Sequence, residues 1–390
     1  MSTHESAVGR HASWLELFFD LVAVAAVAQL AHRLHGEVGP SDVGLFVLLY
    51  LAVWMCWSAF TLYANVARER TRRRSMLAAM FVIAIMAAAI PEATGPRAVV
   101  FIVTYVVVRA LGARTWQGTG THLTAWPSVQ GLIGVLPWVA SIWVDPPGRY
   151  VLWTVGLAID IVLPLLANAE RRVPRFAQRL IEQQAEREGR AAPDMSTLVP
   201  RPAELDLPHL AERLGLFLII VLGEAVLQVV SAAAELPWTA GLIAVALGGF
   251  ALLAGIWWPM FRYGLVGSAG RMLPVRLAMP LHFLTAAGIT ALAVGLGGLV
   301  AHPVGPAPVA DRWLLCGGLA AWGLSGILGA PRAGRTHWLL VAGAPGLVLT
   351  LGLGAFGARL PGVALVWLLV VVVGGHLGYG MRLDRRAVTA

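Results

Sequence analysis

Residues 210–232 read LAERLGLFLIIVLGEAVLQVVSA, and their only charged side chains are Glu212, Arg213 and Glu224. A helix rises about 1.5 Å per residue, so this stretch is long enough to cross the roughly 30 Å hydrocarbon layer of a bilayer. The whole chain has the same character, since 58% of its 390 residues are hydrophobic, 13% are charged and the mean hydropathy is +0.74. Such a chain lacks the polar surface that a soluble protein needs. We therefore predict an integral membrane protein.

Apolar windows of this kind recur and predict an all-α, polytopic transmembrane bundle of about twelve helices. The predicted spans are 14–34, 42–65, 75–93, 97–113, 127–144, 149–169, 210–232, 238–263, 275–301, 311–329, 336–357 and 360–381. The first is interpreted as a retained helix and not as a signal peptide, because Glu16 and Asp20 lie within it. Residues 170–208 are rich in Arg, Glu and Pro, and they predict a hydrophilic linker between an N-terminal half (1–169) and a C-terminal half (209–390).

The two halves are also a candidate internal repeat. Trp57 and Tyr63 recur 200 residues later as Trp257 and Tyr263. With six helices in each half, such repeats would be parallel and not inverted. Matches this sparse also arise by chance in so biased a sequence, so both interpretations stay open.

The arginines predict how the chain is oriented. All 29 basic residues are arginine, and with both termini in the cytoplasm only 5 of them (Arg33, Arg97, Arg149, Arg312 and Arg359) face the opposite side. Cytoplasmic loops carry this excess of basic residues, so we predict that both termini are cytoplasmic and that the number of spans is even. The net charge of +8 has the same origin. The chain has no basic domain or aromatic stacking platform, so we expect the bilayer and a small-molecule or lipid substrate as partners, and no nucleic acid.

Ionisable side chains inside the predicted spans indicate where a functional site lies. Each costs at least about 2.5–3.5 kcal/mol at mid-bilayer and therefore needs a partner, water or a function. Asp20, Asp160 and Glu224 have side chains too short to reach the membrane surface from their positions. These three are the first predicted site residues.

A second group lies toward the cytoplasmic end of the bundle under this orientation. His209, Glu212 and Arg213 open the seventh span, and His282 lies just inside the ninth. Three of these residues also have a structural interpretation, because Glu212 can reach interfacial water, Arg213 can reach water or lipid phosphate, and His282 can be a hydrogen-bonded packing residue. Glu16 is interpreted as an interfacial residue that reaches water.

Aromatic residues and cysteines are assigned in the same way. Trp54 and Trp57 in the second span lie deep enough to line a cavity, whereas the aromatic residues nearer the helix ends are typical of an interfacial belt. Cys56 and Cys316 lie within apolar spans and are interpreted as small core residues, not as a disulfide or a metal site.

Two long motifs resemble a known family. Residues 14–22, WLELFFDLV, and residues 209–224, HLAERLGLFLIIVLGE, are similar to the two signatures of the bacterial low-temperature-requirement A (LtrA) family. Weaker matches are Asp160 with its preceding Ala-Ile, and Tyr63 with Asn65. The resemblance covers most of the chain and implies a multipass protein of the bacterial inner membrane, without implying a particular reaction.

The chain departs from the family pattern after Asn65. The family usually continues with Arg-Phe and an acidic cluster, whereas here Val66 and Ala67 precede a basic run that begins at Arg68. Near the end of the eighth span, Arg262 stands where the family tends to have an acid. If those acids form the family site, this member has a more positive cytoplasmic mouth and a different ligand.

Three classes of function remain open, and the clustering of ionisable groups by chemical type favours the first. The first is a membrane-embedded enzyme acting on a lipophilic substrate such as an isoprenoid diphosphate, with carboxylates and a histidine as general acid and base or as ligands of a divalent metal such as Mg²⁺. The second is a proton-coupled secondary transporter, and the third is a non-catalytic sensor or assembly protein. For the enzyme, the predicted catalytic residues are Asp20, Asp160, Glu224, His209 and Glu212; the metal ligands are Asp20, His209, Glu212 and Glu224; the substrate contacts are Arg213, Trp57, His282 and Asn65.

Overall fold

The computed structural model describes residues 11–36, 38–123, 125–126, 129–166, 201–263, 273–332 and 335–389. Its helices are α1 (Trp14–His32), α2 (Pro40–Ala67), α3 (Arg73–Ala89), α4 (Ala98–Gln117), α5 (Val135–Ala140), α6 (Gly148–Leu166), α7 (Leu207–Ala234), α8 (Ala240–Tyr263), α9 (Val275–Ala301), α10 (Val309–Gly329), α11 (Ala344–Phe356) and α12 (Gly362–Thr389). A turn at Thr336–Trp338 and a π-helix at Leu339–Gly343 lead into α11. In these ranges the only strands are β1 (Thr121–His122) and β2 (Arg201–Pro202), which pair in parallel.

The predicted all-α, polytopic bundle is confirmed. Among the described residues, nine helical segments are long and apolar enough to cross a membrane by length and composition. Two further helices, α6 and α10, have 19 and 21 residues. The remaining helix, α5, has only 6 residues.

The chain divides into two compact units, which we call unit 1 (Met1–Tyr50 with Leu207–Ala390) and unit 2 (Leu51–Asp206). Unit 1 groups α1 with the C-terminal helices, and the halves 1–169 and 209–390 stay a prediction. The predicted linker at 170–208 lies outside the described residues as far as residue 200.

Small residues allow close helix packing within unit 1. A Cβ atom added at Gly288 in α9 would lie 2.8 Å from the carbonyl oxygen of Gly318 in α10, and one added at Gly318 would overlap the carbonyl of Gly288. Membrane helices gain little from the hydrophobic effect between themselves, so close backbone approach of this kind stabilises them.

In unit 2 the predicted fifth span, 127–144, is not a continuous helix. Among its described residues, 130–134 are turn or irregular chain, and they are followed by α5 and by a 3₁₀ turn at Ser141–Trp143. Strand β1 follows the end of α4 closely in the chain. Further along, the carbonyl of Gly131 accepts a hydrogen bond from Arg109 of α4. Arg109 lies 8 residues before the end of α4. At 1.5 Å per residue this places Gly131 about 12 Å along α4 from that end.

The rest of this segment continues in the same direction. Trp138 of α5 packs against Phe101 near the start of α4, and its ring stacks on Trp153 of α6 at 5.0 Å. The segment therefore follows α4 from one end toward the other, first as irregular chain and then as a short helix. Irregular backbone at membrane depth must have its polar groups satisfied by protein, which explains why a charged pair lies beside it.

Candidate functional site

Two helices of unit 1 bring four ionisable side chains together. Glu16 and Asp20 are one turn apart on α1, and His209 and Arg213 are one turn apart on α7, so each helix presents its pair on one face. The exposed fraction of each of these residues is 1% or less. We call these four residues the acid–base cluster.

Arg213 is the centre of the acid–base cluster. Its Nη2 donates to Asp20 Oδ1 at 2.6 Å and its Nε to Asp20 Oδ2 at 3.2 Å, while Nη1 lies 3.2 Å from Glu16 Oε1. The fork of the guanidinium therefore matches the Asp20 carboxylate, and its third nitrogen faces the second carboxylate. Bidentate contacts of this kind are the strong class of charge-assisted hydrogen bonds.

Glu16 connects the guanidinium to the histidine. His209 Nε2 lies 3.5 Å from Glu16 Oε2. The same oxygen accepts hydrogen bonds from the backbone N–H and the hydroxyl of Ser13, both at 2.8 Å, in the capping box that starts α1. The sequence prediction that Glu16 reaches interfacial water is wrong, because the side chain is buried. Its Oε1 contacts Arg213, and its Oε2 contacts His209 and Ser13.

His282, on α9, lies near the acid–base cluster. It is fully buried, its Nε2 lies 3.2 Å from the carbonyl oxygen of Leu214, and its ring packs against Phe217. Leu214 follows Arg213 directly, so His282 is adjacent in the fold to the guanidinium-bearing turn of α7. These contacts are those of a packing residue that anchors α9 to α7.

Two of the predicted residues on α7 lie apart from the acid–base cluster. Glu212 is partly exposed, with its carboxylate 3.3 Å from Nδ1 of the exposed His11. Glu224 is half-buried and accepts a hydrogen bond from Gln228 at 2.9 Å. It lies 11 residues beyond Arg213, which corresponds to about 16 Å along the helix.

The remaining predicted residues belong to unit 2. Asp160 is buried and receives hydrogen bonds from Arg109 Nη2 at 2.9 Å and from the backbone N–H of Gly134 at 3.0 Å. A Cβ atom at Gly134 would overlap the Asp160 carboxyl group, so glycine is required there. The Arg109–Asp160 pair thus ties the irregular part of the fifth span to α4 and α6.

Asn65 and Trp57 also have contacts within unit 2. The Asn65 side chain exchanges two hydrogen bonds with the backbone of Asp206, at 2.8 and 2.9 Å. Trp57 is fully buried, and its ring centre lies 6.4 Å from that of Trp54, which in turn packs edge-on against Trp126.

Sequence reasoning missed one buried ion-pair residue in each unit. Arg109 is not among the predicted site residues, although it falls inside the apolar window 97–113. Glu16 was assigned to the interface, although it lies one turn from Asp20. In both cases the signal was a charge within an apolar span, which requires a partner.

The geometry gives the predicted divalent-metal site no support. Within the described ranges, no group of three or more His, Cys, Asp or Glu residues is arranged to hold a metal ion. Both oxygens of Asp20 face Arg213, and Glu224 is bonded to Gln228. In the acid–base cluster the guanidinium supplies the positive charge.

An all-α fold with many bilayer-length helices and buried ion pairs defines a multipass membrane protein. The family model described as bacterial low temperature requirement A protein (LtrA) matches residues 11–376, so the chain belongs to the LtrA family. An uncharacterized protein of Rhizobium meliloti (strain 1021) is 29% identical over 313 residues, which cover 75% of this chain and 70% of that protein. No solved structure matches.

Proposed function

We propose that this protein is a proton-coupled secondary transporter of the bacterial inner membrane, with both termini in the cytoplasm, and that the acid–base cluster carries the coupled proton. One observation carries the proposal: Glu16, Asp20, His209 and Arg213 form a buried chain of ionisable groups linking two helices. Buried chains of Asp, Glu and His are how transporters and pumps relay protons across the layer.

The charges of the acid–base cluster give it two simple states. Taken by themselves, the two carboxylates and the guanidinium have a formal charge of −1. One proton added to the cluster brings this formal charge to zero. Because a charge imbalance is costly in a buried site, occupancy of that proton site changes the interactions that hold α1 against α7.

The shared partner offers a route from protonation to movement. Arg213 contacts both Asp20 and Glu16, and protonation of either carboxylate leaves the guanidinium to the other. A substrate that binds one of the two arrangements more tightly would shift the equilibrium between them, which is the thermodynamic requirement for coupling.

The contacts of these residues agree less well with the enzyme alternative. The fork of Arg213, which would bind phosphate, is occupied by Asp20. Two of the predicted metal ligands have other partners, since His209 contacts Glu16 and Glu224 is hydrogen-bonded to Gln228. A transporter uses these ion pairs as they stand. The transporter is therefore the function that the described contacts favour.

The test is a flux assay with the full-length protein in proteoliposomes. A pH-sensitive dye inside the vesicles reports proton movement when amino acids, organic anions, organic cations and sugars are supplied outside in turn. We expect at least one substrate class to drive proton movement, and we expect His209→Gln and Asp20→Asn to abolish it. Glu92→Gln is the matched control, because Glu92 forms an exposed ion pair with Arg97 outside the cluster.

Two results would overturn the proposal. One is that none of the substrate classes drives proton movement although circular dichroism shows that the protein is folded. The other is full coupling in the His209→Gln and Asp20→Asn variants. Turnover of prenyl diphosphates by the purified protein, sensitive to the same substitutions, would support the enzyme instead.

A further inference from the structure

Five arginines lie within seven residues of unit 2, at Arg68, Arg70, Arg72, Arg73 and Arg74. We call residues 68–74 the arginine turn; with Glu69 as its single acid, its formal charge is +4 (five arginines minus one glutamate). All five arginines are exposed. Among the described residues, no carboxylate forms an ion pair with any of them.

The arginine turn has a defined backbone. It joins α2 to α3 through a 3₁₀ helix at Arg68–Arg70, and its first residue, Arg68, has a positive φ of 51°. The N–H of Thr71 donates to the carbonyl of Arg68 at 3.1 Å, and the N–H of Arg72 donates to the hydroxyl of Tyr63 at 3.0 Å. The guanidinium groups are therefore displayed on an ordered turn at the ends of two membrane-length helices.

The end of α4 extends the same charged surface. A Cβ atom added at Gly118 would lie 2.6 Å from Nη2 of Arg72, so the Arg72 side chain lies directly over this glycine. Arg114, one turn earlier on α4, is also exposed. Six cationic side chains thus cluster at this end of unit 2.

An apolar stripe runs away from this charged surface along α3. Leu77, Phe81 and Ile85 follow Arg73 at intervals of four residues, so each lies about 40° around the helix from the one before and together they form a slanting stripe. The three apolar residues are 50%, 68% and 37% exposed. The opposite face of α3, with Met76, Met80 and Ile83, is buried.

We propose that the arginine turn and the α3 stripe together bind one anionic phospholipid, with the phosphate held by guanidinium forks and an acyl chain along Leu77, Phe81 and Ile85. The arginine turn complements the anionic head group of such a lipid, and the adjacent apolar stripe of α3 complements its acyl chain. Arginine clusters at the end of a membrane helix attract anionic head groups, and the planar fork of arginine fits a phosphate in two-point contact.

The site goes beyond the arginine excess that sets the orientation of the chain. Orientation requires positive charge and would be served by lysine or by arginines spread over the loops. The arginine turn instead concentrates forks on an ordered turn, without carboxylate partners among the described residues. Selective binding of the lipid phosphate is what this concentration adds.

The experiment measures retention of phosphatidylglycerol and cardiolipin by the detergent-purified full-length protein, using native mass spectrometry against phosphatidylcholine. The first variant carries Arg70→Gln, Arg73→Gln and Arg74→Gln. Each arginine near a lipid surface contributes about a fivefold factor, so we expect affinity for the anionic lipids to fall about a hundredfold. Phosphatidylcholine binding stays unchanged.

Two further triple variants distinguish a site from general attraction. The matched control carries Arg262→Gln, Arg332→Gln and Arg382→Gln, which removes the same charge from three dispersed, exposed positions in unit 1. It keeps wild-type lipid binding. The variant with Arg70→Lys, Arg73→Lys and Arg74→Lys keeps the charge and loses the forks, and its affinity falls by about tenfold.

A fourth variant addresses the lipid tail. Phe81→Ala weakens binding of the long-chain lipid but not binding of glycerol phosphate, the soluble head-group analogue. The proposal is overturned if the dispersed control loses as much binding as the first variant, if the lysine variant binds like wild type, or if glycerol phosphate binds as tightly as the lipid. Thermal unfolding of each variant, measured in parallel, confirms that the compared proteins are folded.

Discussion

Replacement of Arg213 by methionine tests whether the acid–base cluster is one coupled unit. Arg213→Met removes the guanidinium that contacts both Asp20 and Glu16 and leaves the two carboxylates buried. Removing one partner of a buried ion pair typically costs about 3–5 kcal/mol, and here one residue is the partner of two. We expect a loss of free energy of unfolding near the upper end, about 4–5 kcal/mol.

The informative measurement is a double-mutant cycle with Asp20→Asn. That substitution alone removes the bidentate contact but leaves Arg213 facing Glu16, so we expect it to cost about 2–3 kcal/mol. In the double variant the guanidinium and the charge of Asp20 are both removed, so fewer buried charges remain, and Glu16 keeps its contacts with His209 and Ser13. The double variant should therefore be more stable than the sum of the single losses predicts, by at least about 1–2 kcal/mol.

The assay is unfolding of the detergent-solubilised protein by added SDS, followed by tryptophan fluorescence. Arg262→Met, an exposed arginine on α8, is the control and should leave the transition where it is in the wild type. If the two single losses add within about 0.5 kcal/mol, the residues are independent and the reasoning is refuted.

Three more predictions concern unit 2. Gly134→Ala should lower the free energy of unfolding by about 2–3 kcal/mol, because the added methyl group overlaps the Gly156 carbonyl and the Asp160 carboxyl group. Gly131→Ala is the control and should cost much less in the same assay, because its methyl group would lie 3.9 Å from Asp160. Asp160→Ala should speed labelling of the buried Cys56 by a thiol reagent in a Cys316→Ala background, because the irregular part of the fifth span loses its tie to α6; unchanged labelling would contradict the assigned role. Arg68→Gly should stabilise the protein by about 1 kcal/mol, because glycine adopts the positive φ without steric cost, and Arg70→Gly, at a position without positive φ, should not.

The sequence was sufficient for the class of protein and for most of the helices. Length and hydropathy are local properties, and a window of about twenty apolar residues has few alternatives to a membrane helix. Eleven of the twelve predicted spans correspond to long helical segments, and most end points agree closely, although α12 continues past the predicted end at 381 to Thr389. The exception is 127–144, whose composition resembles the other spans while residues 130–134 are turn or irregular chain.

That exception has a physical reason that composition does not contain. The irregular chain at Gly131 and Gly134 is possible because Arg109 and Asp160, 51 residues apart, meet beside it and satisfy its backbone groups. No local window records that meeting. A hydropathy average therefore assigns the segment to a continuous helix.

The candidate site divides in the same way. The sequence by itself determined that Asp20, Asp160, His209 and Arg213 are charged or titratable groups inside apolar spans, which must find partners. Only the tertiary structure decided the partners, and it paired Asp20 with Arg213 across 193 residues of chain and Asp160 with Arg109 in the other unit. The reason is that burial cost is a property of each residue and its neighbours in sequence, whereas an ion pair depends on which helix faces meet when the chain has folded.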